Sequence, residues 1–494
     1  MPPERSDMTD QPSGAPPAQD DNRARKPLGG PYTFLWQSSW STLVLQVVLV
    51  TLVLFTALPA PRGLSQEGFR AIAVFITCFG LWVTAALPFA VTGLLAISLL
   101  SLFRVFTPTE AFGLFGNTAV FFILGSFMLA AALMRSGLSK RIALVILSRC
   151  GASAGGLLTG VFAIAWCLSL IMSEHAVAAV LFPVILEILR AAQERGPDRT
   201  FAKGLLLALA WGAIIGGTGT LLGGARAPLA LGILHRLTGE QVSFLQWSRV
   251  TMPVTVAMGL VALPVLQLLF GRGRTDVVAA RARLTEETAQ LGPLTRREKG
   301  TGLIFLVTIF CWVFLSRQID LATTAILASV ALFVFRLISW SDTEEYVNWE
   351  IILMYGGAVA LGTALSETGA AAWLAQTFLP WGAPFLLMIG LLVLLSALLT
   401  EGMSSAAVVA FLLPLAIGFA EPLGLAPRHL AYLIAVAAGL VYIFPMGAPP
   451  LAIVYSSGML RLREVILPGI ILHLVSWTVI LLWVHFFWPW AGLR

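Results

Sequence analysis

Two short polar interruptions in apolar sequence hold the residues of this chain that could do chemistry. The first is Ile171-Met172-Ser173-Glu174-His175-Ala176, running on to Pro183. The second is Glu401-Gly402-Met403-Ser404-Ser405-Ala406, running on to Pro414. Between them a lone cation, Arg226, follows Gly223-Gly224-Ala225. A carboxylate, an imidazole that titrates near neutral pH, several hydroxyls and a guanidinium can bind an anion, a cation or a proton. Intramembrane enzymology is a weaker reading. Glu174 and His175 are adjacent and lack the His-Glu-x-x-His spacing of a metalloprotease, and the second interruption offers no evident nucleophile partner. Cys78, Cys150, Cys167 and Cys311 have no metal-ligand spacing and read as packing residues, so no transition metal and no bound cofactor is expected.

The elements that must position these groups are set by composition. The chain is 58% hydrophobic and only 11% charged, whereas soluble domains carry about 25% charged residues. Strand-type alternation is absent, so the expected class is an all-α polytopic membrane protein of about eleven transmembrane helices, each needing about 20 apolar residues. The net charge of +6 sits in short loops between spans, which points to topology and away from nucleic acid. Several apolar runs are too short to cross alone. Runs 157–172 with 176–190, and 384–400 with 406–420, read as two re-entrant hairpins with polar tips buried in protein. Trp483, Trp488 and Trp490 read as an interfacial aromatic anchor.

Landmarks recur in order along the chain. Ser136-Gly137 matches Thr368-Gly369, Pro183 matches Pro414, and Pro228-Leu229-Ala230 matches Pro450-Leu451-Ala452. The expected layout follows from this duplication. Residues 1–34 form a disordered cytoplasmic tail and 35–65 a first transmembrane helix. Residues 66–271 form one repeat with a hairpin over 155–191, and 272–300 a solvated cytoplasmic linker. Residues 301–494 form a second repeat with a hairpin over 384–421. Five crossings per repeat invert the second copy relative to the first, the arrangement of secondary transporters whose site lies where the repeats meet. With the N-terminus in the cytoplasm, 22 Lys and Arg fall on the inner side and eight on the outer. That asymmetry favours a multi-pass protein of the cytoplasmic membrane in this orientation.

Five segments, in order, resemble the divalent-anion/sodium symporter family of the ion-transporter superfamily. They are Trp82–Leu95, Gly137–Leu144, the first tip with its Ser173, Gly216-Gly217-Thr218-Gly219-Thr220, and Gly447-Ala448-Pro449-Pro450. The likeness spans about residues 40–490. It implies a secondary active transporter that moves a dicarboxylate, a citrate-like acid or sulfate by alternating access, as a homodimer in the bilayer, driven by Na+. Each hairpin tip in that family reads Ser-Asn-Thr. Here Ser173 and Ser404 remain, Glu174 and His175 replace Asn and Thr in the first tip, and Ser405 and Ala406 replace them in the second. The resemblance places substrate contacts at Ser173, Glu174, His175, Arg226, Ser404, Ser405, Ala406 and Pro449. Ion-binding positions, or their replacements, fall at Ser169, Ser173, Glu174, Gly223 and Arg226, and at Thr400, Met403, Ser405 and Gly447.

The departures carry a physical consequence. A lone Glu and a lone Arg at bilayer depth each cost several kcal/mol unless paired, so Glu174 and Arg226 are expected to pair and to stand in for the first sodium ion. Sodium coupling is then lost or reduced. His175 in the place of Thr leaves open a proton-coupled or exchange-type anion transporter. A membrane sensor that kept the fold without transporting is the reading from another class. Glu401 reads as a support for the second tip.

Overall fold

The computed structural model describes residues 39–150, 153–193, 199–271, 277–316, 318–378, 385–418, 420 and 424–490. The expected tail, 1–34, lies outside them, as do residues 272–276 of the linker and 384, 419 and 421 of the second hairpin. Every described element is helical. Seven helices are long and apolar enough to cross a membrane, and several shorter apolar helices accompany them. Large side chains such as Leu102, Leu260, Leu306, Phe314 and Phe486 are exposed, a surface suited to lipid and costly in water.

In chain order the helices are α1 (Ser39–Ala57), α2 (Gln66–Thr84), α3 (Phe89–Leu102), α4 (Thr118–Ser136), α5 (Leu138–Arg149), α6 (Ala154–Ser169) and α7 (Glu174–Gln193). They continue with α8 (Arg199–Gly216), α9 (Arg226–Thr238), α10 (Phe244–Phe270), α11 (Val278–Gln290), α12 (Arg296–Phe314), α13 (Leu321–Val334) and α14 (Trp340–Tyr346). The last seven are α15 (Trp349–Glu367), α16 (Ala370–Phe378), α17 (Phe385–Gly402), α18 (Ser405–Gly418), α19 (Pro427–Ala437), α20 (Pro449–Tyr455) and α21 (Leu462–Leu482).

Local backbone chemistry repeats between the halves. Helix α4 ends on Gly137 at φ +81, and α15 is followed by Gly369 at φ +73, the left-handed position that glycine fills without a Cβ penalty. A Schellman closure ends both α3 and α13. Arg104 and Arg336 both take positive φ. The amide of Val105 reaches back to the Leu100 carbonyl at 2.9 Å, and that of Leu337 to Leu332 at 2.8 Å.

Packing is reciprocal as well. Helix α3 crosses α15 and α4 crosses α13. At the first crossing Gly93 and Gly357 stand so close that a Cβ on either would collide with the other helix, and at the second Gly125 faces Ala325 in the same way. Small residues let helix backbones approach where no water is squeezed out to drive them together. The returning arms of the two helix–turn–helix units are exchanged: α7 packs on α20, and α18 packs on α9. Ion pairs join distant parts of the chain, with Arg135–Asp342 at 2.7 Å, Lys203–Glu464 at 2.8 Å and Arg141–Glu298 at 2.5 Å.

Two expectations need correction. The segment read as a solvated linker carries helix α11, which packs against α5 and α7 and buries Val277, Ala280 and Leu284. Three apolar residues among many charges are too few to register as a span, yet their spacing gives α11 one apolar face. Trp483 and Trp488, read as an interfacial anchor, are buried instead. The Trp483 indole donates to the Val250 carbonyl at 3.1 Å, and Trp488 packs against His429 with ring centroids 5.0 Å apart. A buried indole satisfied by a carbonyl needs no membrane interface. The side chain of Trp490 lies outside the described set.

Gly357→Leu is expected to cost about 1–3 kcal/mol by overpacking the α3–α15 crossing, read as a lower thermal midpoint of the purified protein in detergent. An unchanged midpoint would mean that the crossing has room to spare.

Candidate functional site

The two tips are built alike. Helix α6 ends at Ser169, and the Ser173 hydroxyl accepts from the Ala176 amide at 3.3 Å to start α7. Helix α17 ends at Gly402, and the Ser404 hydroxyl accepts from the Ala407 amide at 3.2 Å to start α18. Each serine therefore caps a helix that would otherwise open on unsatisfied donors. Each tip faces an interruption in a helix: residues 217–225 between α8 and α9, and residues 438–448 between α19 and α20.

The first tip is fastened to the first interruption. The Glu174 amide donates to the Gly223 carbonyl at 2.8 Å, and the Thr220 hydroxyl donates to the Leu170 carbonyl at 2.7 Å. A Cβ on Gly223 would strike the Ser169 carbonyl, and one on Gly217 would meet the Glu174 carboxylate. The charges are joined: Arg226 Nη1 lies 3.0 Å from Glu174 Oε2, with side-chain exposures of 2% and 7%. Glu174 is the first residue of α7, where the helix dipole favours an anion. Arg226 is the first residue of α9, where the dipole disfavours a cation. The pair therefore offsets the misplacement of the arginine. The guanidinium also fills the space over Gly224 and, from the other half, Gly439, where any side chain would collide with it. Its Nη2 and the hydroxyl of Ser169 are buried without a hydrogen-bond partner.

The second tip is fastened differently. Glu401 Oε1 accepts from the amides of Tyr442 and Ile443 at 2.9 and 3.1 Å, and Oε2 accepts from Phe444 at 2.7 Å. Nε2 of His473, on α21, also meets Oε1. A Cβ on Gly447 would strike the Thr400 carbonyl, while the Thr400 hydroxyl donates to Ser396 at 2.6 Å. Trp211, on α8 ahead of the first interruption, reaches the second, where its indole donates to the Tyr442 carbonyl at 3.2 Å.

Ser169, Ser173, Glu174, Gly223 and Arg226 are thus gathered at the first tip, and Thr400, Met403, Ser404, Ser405 and Gly447 at the second. Met403 and Ala406 are buried, Pro449 opens α20 half-buried, and His175 is exposed with no described hydrogen bond. The amides of residues 442–444 are taken by Glu401, so they are not free to hold an anion. Sequence reasoning missed His473. Its signal was an ionisable residue inside a long apolar run, which in a membrane segment is a functional candidate by default. A cavity of about 1240 Å³ is lined by Leu221 of the first interruption and Pro228 on α9, together with His235, Glu240, Arg249 and Asp320.

Comparison with known proteins adds the following. A family model described as the sodium:sulfate symporter transmembrane region matches residues 37–493. The sodium-dependent dicarboxylate transporters SdcS of Staphylococcus saprophyticus and Staphylococcus aureus are 30% identical over 469 residues, which is 89% of this chain and 89% of each relative. The YdaH transporter of Alcanivorax borkumensis superimposes with a TM-score of 0.50 at 15% identity, covering 93% of this chain and 98% of that one. MtrF of Neisseria gonorrhoeae, placed by its description in a class of antimetabolite efflux pumps, gives 0.53 at 14% identity, with coverages of 93% and 96%. At those identities the two structures speak for the fold alone.

Glu174→Gln or Arg226→Met alone leaves one buried charge without its counter-ion, and each is expected to cost about 3–5 kcal/mol. The double variant is expected to be more stable than either single one in a detergent unfolding series. Singles as stable as the parent would show that the pair is hydrated in solution.

Proposed function

The chain belongs to the sodium:sulfate symporter family, and from that premise we propose that it carries a small dianion, most naturally a dicarboxylate, by sodium-assisted alternating access. It is a multi-pass membrane transporter of small anions, and the finer statements here are our reading. The dicarboxylate rests on the named substrate of the SdcS relatives. A cytoplasmic N-terminus rests on the distribution of Lys and Arg. Eleven crossings, two re-entrant hairpins and an inverted duplication account for the reciprocal crossings and exchanged arms. A homodimer is part of the same family reading.

The observation that carries the mechanism is the Arg226–Glu174 pair at the first tip. A sodium ion needs several oxygen ligands converging on one point. At the first tip the Gly223 carbonyl is engaged by the Glu174 amide and Glu174 Oε2 by a guanidinium, while the Ser169 hydroxyl is left over. In our reading the guanidinium supplies as a fixed charge what the family draws from a mobile ion there. Coupling to sodium then rests on the second tip, through Thr400, Met403, Ser405 and Gly447. Ser173, His175, Ser404, Ser405, Ala406 and Pro449 line the anion's place, with the exposed His175 ring able to donate to a carboxylate. The cavity that reaches Leu221 and Pro228 is an approach from the side assigned as outer.

Reconstituted protein tests this. Counterflow of radiolabelled succinate, citrate and sulfate is expected to favour succinate, with a hyperbolic dependence on sodium because one tip binds it. Sigmoid dependence would restore a sodium ion at the first tip. Binding without flux would favour a sensor. Arg226→Glu is expected to abolish counterflow, with partial recovery when Glu174→Arg is added. Normal counterflow in the single reversals would remove the pair from the mechanism.

A further inference from the structure

In the second half, the buried carboxylate has a titratable partner where the first half has a permanent cation. Glu401 receives three backbone amides on its two oxygens and the Nε2 of His473 as a fourth contact. The three amides need an acceptor on both oxygens, so the proton this cluster can gain or lose belongs on the ring. A neutral ring donates through Nε2–H to Glu401 and leaves a lone pair on Nδ1, for which no partner is described. The ring is partly accessible, at 18%. A proton taken from water onto Nδ1 makes an imidazolium–carboxylate pair, with no other bond made or broken.

The surroundings leave this ring isolated from other charges. Tyr442 stands edge-on to it, with ring centroids 5.0 Å apart, and spends its own hydroxyl on Ser476 at 2.9 Å. The Tyr455 hydroxyl is engaged by the Ile443 carbonyl at 3.2 Å. Glu464, at the start of α21, is paired with Lys203, and Arg463 adjoins it. Both lie roughly 14 Å from His473 along the helix at 1.5 Å per residue. Arg249 on α10 is next to Val250, which meets Trp483, and His429 on α19 meets Trp488. These contacts set Arg249, Arg428, His429 and Tyr432, with His485, toward the far end of α21. On α17, the helix that brings Glu401, no other charged residue is present.

We propose that His473, held against Glu401, is a proton-binding site through which transport is coupled to a proton gradient. The inference rests on the transporter reading. Three elements meet at this one carboxylate: the end of α17 beside the second tip, the interrupted backbone at 442–444, and α21. Protonation turns a hydrogen bond from a neutral ring to the Glu401 carboxylate into an imidazolium–carboxylate ion pair, with both partners charged, and so tightens the tip against α21. His175 is displaced from this role, because it has no carboxylate partner of its own and its neighbour Glu174 is held by a guanidinium that keeps its proton.

The test uses the full chain in proteoliposomes. With no sodium gradient, an inward proton gradient is expected to drive succinate accumulation several-fold above the equal-pH level. His473→Gln is expected to lose that response while keeping sodium-dependent counterflow at a single pH. A variant that keeps the response, or a parent protein with none while its counterflow is intact, overturns the proton site and leaves the transporter reading standing. Loss of all counterflow in the parent overturns both. Should the variant fold poorly, His473→Asn takes its place in the same assay, and a proton-gradient response that survives replacement of the imidazole overturns the proposal.

Discussion

Interrupting two helices deep inside an apolar protein creates unpaired backbone groups and misplaced dipole charge, and almost everything distinctive in this chain serves to satisfy them. Arg226 is the sharpest instance. Its guanidinium sits at a helix N-terminus, almost wholly buried, against the interruptions of both halves. Without Glu174 it would be an uncompensated charge in a medium that hydrates nothing. Glu174 in turn is held by its own amide on Gly223, so the first tip, the first interruption and the second interruption are one electrostatic unit.

The second half solves the same problem with a different counter-ion. Glu401 absorbs three amides of the interrupted segment, work that would otherwise fall to water or to substrate. Its fourth contact is an imidazole on α21. The two carboxylates are not at equivalent positions: Glu174 follows its capping serine, and Glu401 precedes its own by three residues. One is neutralised by a group that cannot titrate and the other contacts one that can. That asymmetry gives the halves different work within a similar scaffold, with coupling chemistry assigned in our reading to the second.

The scaffold was largely legible. Ser136-Gly137 and Thr368-Gly369 announced themselves as matched helix ends, because a glycine after a helical run has few other uses, and both take left-handed φ. The polar tips also stood out, since Ser173 and Ser404 interrupt apolar sequence and go on to cap α7 and α18. Helix α11 did not stand out: its apolar face rests on a few residues among many charges, and only its contact with α5 and α7 shows that they are buried. The tryptophans of the last segment misled, because an indole near a chain end looks the same in sequence whether it meets lipid headgroups or a carbonyl such as that of Val250.

By itself the sequence determined the class of protein, the places of the two polar tips and the demand that Glu174 and Arg226 find each other. These follow from local facts: span length, helix-capping chemistry and the cost of a bare charge in an apolar run. Only the tertiary structure decided what each tip is fastened to. Arg226 meets Gly439 across 213 positions, and Glu401 meets His473 across 72. Those separations are set by how the interrupted helices pack across the two halves. No spacing rule along the chain encodes which buried imidazole a buried carboxylate will reach.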